Sequence, residues 1–237
     1  MIEINALTKR FKKLVAVDNV SLNIESNECF ALLGLNGAGK TTLINMLSTV
    51  ILPTSGTAKI DGLDIVKNPL EVRKIINISP QEIAVAKNLT VRENLEFVAD
   101  LYGIEDKQSK IDEIIAKLKL NEKENVRCKN LSGGQMRRVS LALGIISQPK
   151  VLFLDEPTLG LDVKARRILW ETISNLKGKM TIILTTHYLE EVENLADKVG
   201  IISRGRIQMV GTPAEIVQAT HTKNLEEAFL SLSEEEQ

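Results

Sequence analysis

Gly34-Leu35-Asn36-Gly37-Ala38-Gly39-Lys40-Thr41 decides how the chain is read. It matches the pattern G-x-x-x-x-G-K-[ST] and lies between an apolar run, Cys29-Phe30-Ala31-Leu32-Leu33, and a segment that reads as a helix. Glycines let successive backbone N–H groups turn inward as a nest for phosphate oxygens. A helix starting near Lys40 aims its unsatisfied N–H groups and the positive end of its dipole at the same anion. Lys40 adds a full charge at the β and γ phosphates, and the Thr41 hydroxyl is placed to bind Mg²⁺. Together these features predict a nucleotide site on an α/β scaffold.

The surrounding sequence agrees with that scaffold. Ile2-Glu3-Ile4, Val15-Ala16-Val17 and Val20 to Ile24 are short, partly alternating runs that suit an antiparallel sheet, and Asp61-Gly62 marks a turn after Thr57 to Ile60. Runs apolar on both faces, Cys29 to Leu33, Val151 to Leu154 and Thr181 to Leu184, suit strands in a covered parallel sheet. Between the last two lies a helix expected from Ala165 to Leu176, a strand–helix–strand alternation that argues for parallel crossovers. From about Glu82 to Ser147 the pattern turns helical: Val91 to Leu101 ends near Gly103, and Ile111, Ile114, Ile115 and Leu118 share one helical face. Val199 to Ile202 and Arg206 to Val210 read as a hairpin about Arg204-Gly205, and Ser231 to Gln237 reads as a frayed polar tail.

Composition narrows the function. Of 237 residues, 43% are hydrophobic and 26% charged, and the formal net charge is -1, which excludes the strong basic field of a nucleic-acid coat. One Trp, two Tyr and five Phe leave little for base stacking. Met1 to Asn5 does not read as a secretory signal, and no apolar stretch approaches the roughly 18 residues needed to cross a bilayer. Cys29, in a strand, and Cys128, in a polar loop, lack metal-ligand spacing and read as reduced thiols without a role.

Two further strand ends supply chemistry. Asp155, closing the apolar run from Val151, is placed to hold Mg²⁺ opposite the phosphates. Glu156, expected to point away from it by strand alternation, is the candidate base for an attacking water. His187 follows the run from Thr181 to Thr186, where an imidazole can hydrogen-bond a γ-phosphate and the water. His221 carries no such argument.

Leu131-Ser132-Gly133-Gly134-Gln135 is a second anion-binding helix start, one more than a single site requires. With the motifs above, in this order and with Gln81 and Leu161-Asp162, the chain resembles the nucleotide-binding subunits of ABC transporters over almost its whole length. The resemblance implies an α/β phosphate-loop NTPase core with a mostly parallel sheet, an N-terminal antiparallel β-subdomain and an inserted helical subdomain. Residues 1–81 and 148–220 would form the core, 82–147 the helical part, and 221–237 a C-terminal tail.

It also implies two copies, or a paired ATPase subunit, meeting head to tail. Each ATP would touch Asn36, Gly37, Ala38, Gly39, Lys40, Thr41 and Thr42 of one copy and Ser132, Gly133, Gly134 and Gln135 of the other. Phe11 matches the aromatic that stacks on adenine, with Phe where many relatives have Tyr. Gln81 matches the residue reaching Mg²⁺ and the water, and Asp162 the contact to the opposing copy. Thr158 to Asp162, Thr185 to Glu191 and Gly211 to Ile216 look like exporter-type subunits that sit on the cytoplasmic face of integral membrane permease subunits; Val163 departs from their usual Pro. Ile83 to Ala86 are expected to touch that partner or to pack in the core. The alternative is a soluble ABC-type ATPase on ribosomes or DNA, disfavoured by the single module and balanced charge. A GTPase switch is disfavoured because Asn-Lys-x-Asp does not occur, and a binding-only module because Glu156 and His187 are intact.

Overall fold

The short apolar patches at the N-terminus belong to two long strands. In the computed structural model, which describes residues 1–234, β1 (Ile2–Phe11) pairs antiparallel with β2 (Leu14–Ile24), a single strand where the sequence suggested two. Register shifts after Ile4 and Leu7, with Ala6 and Asn19 at φ near 50°, bend this ribbon. β3 (Cys29–Leu33) runs into the phosphate loop and α1 (Lys40–Leu47), and β4 (Ser55–Ile60) and β5 (Leu63–Asp64) turn at Asp61-Gly62 as expected. Then come α2 (Pro69–Ile75), β6 (Ile76–Ser79), α3 (Val91–Leu101), α4 (Lys107–Lys117), α5 (Gly133–Ile145) and β7 (Val151–Asp155). The chain closes with α6 (Val163–Ser174), β8 (Thr181–Thr186), α7 (Leu189–Leu195), β9 (Lys198–Ser203), β10 (Arg206–Gly211), α8 (Pro213–Ala219) and α9 (Leu225–Glu234).

Two sheets result. One is antiparallel, in the order β2-β1-β4-β5; the other runs β10-β9-β3-β8-β7-β6 and is parallel except for the β9–β10 hairpin. The uninterrupted apolar runs have a direct cause. Phe30 and Leu32 join one buried cluster with β1, β2 and α1, while Cys29, Ala31 and Leu33 join another with the helices. A strand covered on both faces has no polar side to present. Among the described residues, no helix is long and apolar enough to cross a membrane.

Four expectations change. Cys128 is fully buried in a short 3-10 turn, where Asn94 Nδ2 donates to its sulfur at 3.4 Å; its polar neighbours concealed that core position. The expected C-terminal tail carries α9, whose Leu225, Ala228 and Phe229 are buried. Of the frayed segment, Ser231 to Glu234 close that helix and 235–237 lie outside the described residues. α6 also begins at Val163, two residues before the expected start.

Candidate nucleotide site

Where β3, β7 and β8 end side by side, their loops surround a cavity of about 680 Å³, a size suited to a nucleotide. Asn36, Gly37, Ala38, Gly39, Lys40, Thr41 and Thr42 form one wall, and Gln81, Glu156 and His187 face them. Phe11 stands at the rim, 46% exposed rather than packed against the sheet, with Lys9 Nζ 5.0 Å from its ring centre. Gly39 is obligatory: φ is 105°, and a Cβ there would come within 2.3 Å of the Ala16 carbonyl oxygen.

The charged groups converge. Lys40, 5% exposed, donates to the carbonyls of Gly34 at 2.7 Å and Leu35 at 3.2 Å and pairs with Glu156 Oε1 at 3.2 Å. Glu156 Oε2 lies 2.8 Å from His187 Nδ1, yet both atoms are buried and neither makes a hydrogen bond of ordinary geometry. Asp155 turns the other way: Oδ1 accepts from Thr41 Oγ1 at 3.2 Å and from the Thr185 hydroxyl. The divergence of the two carboxylates does not come from strand alternation as expected. β7 stops at Asp155, and Glu156 adopts φ of 48°, a left-handed conformation costing a non-glycine residue about 1–3 kcal/mol. Thr185 holds it there, its Oγ1 accepting the Glu156 N–H at 3.0 Å.

Thr41 and Gln81 line the cavity, while Asp155 is buried outside its lining, with Oδ1 3.2 Å from Thr41 Oγ1; together they offer hard oxygen donors. Among the described residues no group of three or more His, Cys, Asp or Glu could hold a metal by itself. An oxygen set this small fits Mg²⁺, which keeps waters and takes phosphate oxygens as further ligands.

Ser132, Gly133, Gly134 and Gln135 are not brought to this cavity. They open α5 with a reciprocal cap: Ser132 Oγ accepts the Gln135 N–H at 3.3 Å, and Gln135 Oε1 accepts the Ser132 N–H at 2.9 Å. Ser132 and Gly133 are exposed, while a Cβ on Gly134 would come within 2.7 Å of that of Ala165 in α6. Asp162 caps α6, accepting the Ala165 N–H at 2.8 Å.

The profile of a family described as ABC transporter matches residues 17–159 of this chain. The chain belongs to that family. ATP-binding cassette sub-family A member 17 of Rattus norvegicus is 39% identical over 92% of this chain. Phospholipid-transporting ATPase ABCA3 of Homo sapiens is 38% identical over 89%, and ABC transporter A family member 4 of Arabidopsis thaliana 42% identical over 85%. The chain spans only 13%, 13% and 22% of those proteins. The solved ATP-binding subunit of an ABC transporter superposes with a TM-score of 0.88 at 26% identity, covering 98% of this chain and 99% of that one. A dimeric cassette bound to ADP and Pi after hydrolysis superposes at 0.81 with 24% identity, covering 90% and 98%, a likeness of fold. The cassette is thus an ATP-binding domain of the ABC type.

Several residues around the site escaped the sequence reading. Arg137 is buried in α5, with burial pulling its pKa down against the opposing pull of Asp155, Glu191 and Glu156. Thr185 joins Asp155 to Glu156. Glu191, fully buried in α7, has its pKa raised chiefly by desolvation, against hydrogen bonding from Thr186, Thr158 and Trp170. Trp170 Nε1 donates to its Oε1 at 3.4 Å, while Oε2 and the Thr158 hydroxyl lack well-formed partners.

Proposed function

We propose that the cassette hydrolyses ATP to power an ABC exporter, closing on a second copy or a paired ATPase subunit. One observation carries this reading: a phosphate loop, Glu156 and His187 share a cavity whose open side lacks the capped start of α5. That exposed helix start would complete the opposing copy's site, with Ser132 and the backbone of Gly133 and Gly134 donating to phosphate oxygens. Asp162 and the 158–162 loop would touch the partner copy.

The charge arrangement supports one order of events. Lys40 is shared between Glu156 and the loop's own carbonyls. A γ-phosphate offers Lys40 a stronger partner and releases Glu156 to accept a proton from the attacking water. His187 orients that water and the γ-phosphate, Phe11 stacks on adenine, and Asn36 to Thr42 enclose the triphosphate. Thr41, Asp155 and Gln81 would hold Mg²⁺, which neutralises charge developing on the phosphates. After cleavage, repulsion between the anionic products loosens the pair.

Ile83, Ala84 and Ala86 offer small and apolar surface after Gln81, while Val85 packs against the core, and we assign this segment to contact with integral membrane permease subunits. Residues 82–147 would move as a unit and pass closure to that partner on the cytoplasmic side of the membrane. A relative named a phospholipid-transporting ATPase makes lipid the first cargo class to test.

Glu156→Gln tests the enzyme reading. The variant keeps ATP binding, loses on the order of 10²–10⁴ in hydrolysis and accumulates an ATP-dependent dimer. Turnover equal to the parent's would refute the assignment of the base.

A further inference from the structure

Arg137 lies two residues beyond the Ser132–Gln135 segment, 3% exposed, and its planar fork serves two different loops. Nη1 donates to the Pro80 carbonyl at 2.7 Å and Nη2 to the Glu156 carbonyl at 2.8 Å. Pro80 immediately precedes Gln81. Glu156 is the residue held at φ of 48°, so its strained backbone is gripped on both sides, the N–H by Thr185 and the carbonyl by Arg137. Such a conformation persists only while its surroundings over-determine it. α5 runs continuously from its Ser132 cap through Arg137, a rise of about 7.5 Å, so displacement of the helix start carries the guanidinium with it.

We propose that Arg137 is a positioning residue that ties the start of α5 to the Gln81 loop and to Glu156. Contact of one copy's Ser132–Gln135 segment with the opposing nucleotide thereby fixes that copy's own catalytic carboxylate. The inference rests on the two-copy reading above. It gives each site a mechanical report of whether its twin is filled.

Arg137→Lys and Arg137→Gln in the 237-residue chain test it. A lysine is a point donor and a glutamine amide a shorter one, so neither reproduces the two-armed bridge. Hydrolysis is followed against ATP concentration, with ATP affinity by calorimetry and melting temperature alongside. In both variants kcat falls on the order of 10–100-fold, while KM and ATP affinity move less than about twofold. The Hill coefficient falls toward about 1 as the sites decouple. In a Glu156→Gln background, Arg137→Lys still yields the ATP-dependent dimer by light scattering. A kcat within about twofold of the parent's in both variants overturns the proposal. So does a fall in kcat matched by loss of ATP affinity and of the dimer, which marks a packing role. A parent that turns over as a monomer refutes the two-copy reading and this inference with it, a result read from the parent alone.

Discussion

Replacing Lys40 by Met should make a harmful change at Glu156 beneficial. The two side chains are each 5% exposed and sit 3.2 Å apart. At an effective dielectric constant of about 20 their attraction is about 5 kcal/mol, before the cost of desolvating both ions. Glu156→Gln leaves Lys40 its bonds to the Gly34 and Leu35 carbonyls, so that change costs about 1 kcal/mol. Lys40→Met instead strands a buried carboxylate, costing about 3–5 kcal/mol. For a chain of 237 residues this lowers Tm by roughly 6–20 °C. Adding Glu156→Gln to Lys40→Met removes the stranded charge, so the double variant recovers about 2–3 kcal/mol. The assay is urea unfolding without nucleotide or Mg²⁺. It is followed by fluorescence of Trp170, the single tryptophan and itself buried. Costs that add to within about 0.5 kcal/mol would refute the coupling.

Three other outcomes are expected. Ser132→Arg puts a long cation at the exposed start of α5, and should abolish ATP-dependent dimers in light scattering while the monomer still binds ATP by calorimetry. Burial raises the Cys29 thiol to about 12 and also pushes Cys128 upward; the folded chain at pH 8 should therefore resist a thiol reagent, and both cysteines should react after denaturation. Glu191 binds its proton more tightly when folded than its ordinary 4.5. Its contribution to stability is therefore complete below pH 4.5 and lost as pH rises toward the folded value. Glu191→Gln should accordingly raise Tm relative to the parent at pH 8, with the gain shrinking on acidification; a gain independent of pH would mean the carboxyl is not buried in its neutral form.

The fold was legible wherever a segment's own pattern reported its burial. Cys29 to Leu33 is apolar throughout because alternate residues enter different cores. Ile111, Ile114 and Ile115 repeat on one face because only that face of α4 is covered. Legibility failed where neighbours masked the pattern. Leu225, Ala228, Phe229 and Leu232 carry helical spacing, but the acidic residues after them suggested a frayed end. Cys128 lies among Arg127, Lys129 and Asn130, yet it joins the large apolar cluster and accepts from Asn94, far away in sequence. The conformation of Glu156 could not be read at all, because the Thr185 and Arg137 bonds that hold it come from other elements.

The motif residues assigned to the site could be picked out as candidates because phosphate chemistry restricts which types stand at which spacing. The residues that support them obey another rule. Arg137, Ser140, Leu141 and Gly144 occupy one stripe of α5, all buried. Glu191, Val192 and Leu195 do the same in α7. In each helix a charged residue occupies a buried position. Burying such a group is costly unless something answers it, so its presence requires a partner the local sequence does not contain. For Arg137 the answer is two carbonyls, one beside Gln81 and one at Glu156. For Glu191 the polar neighbours come from α6, from the loop after β7 and from the last residue of β8. A charge standing in a buried stripe is therefore itself a sequence signal, and here it points twice to the polar groups that surround the two strand ends carrying Glu156 and His187.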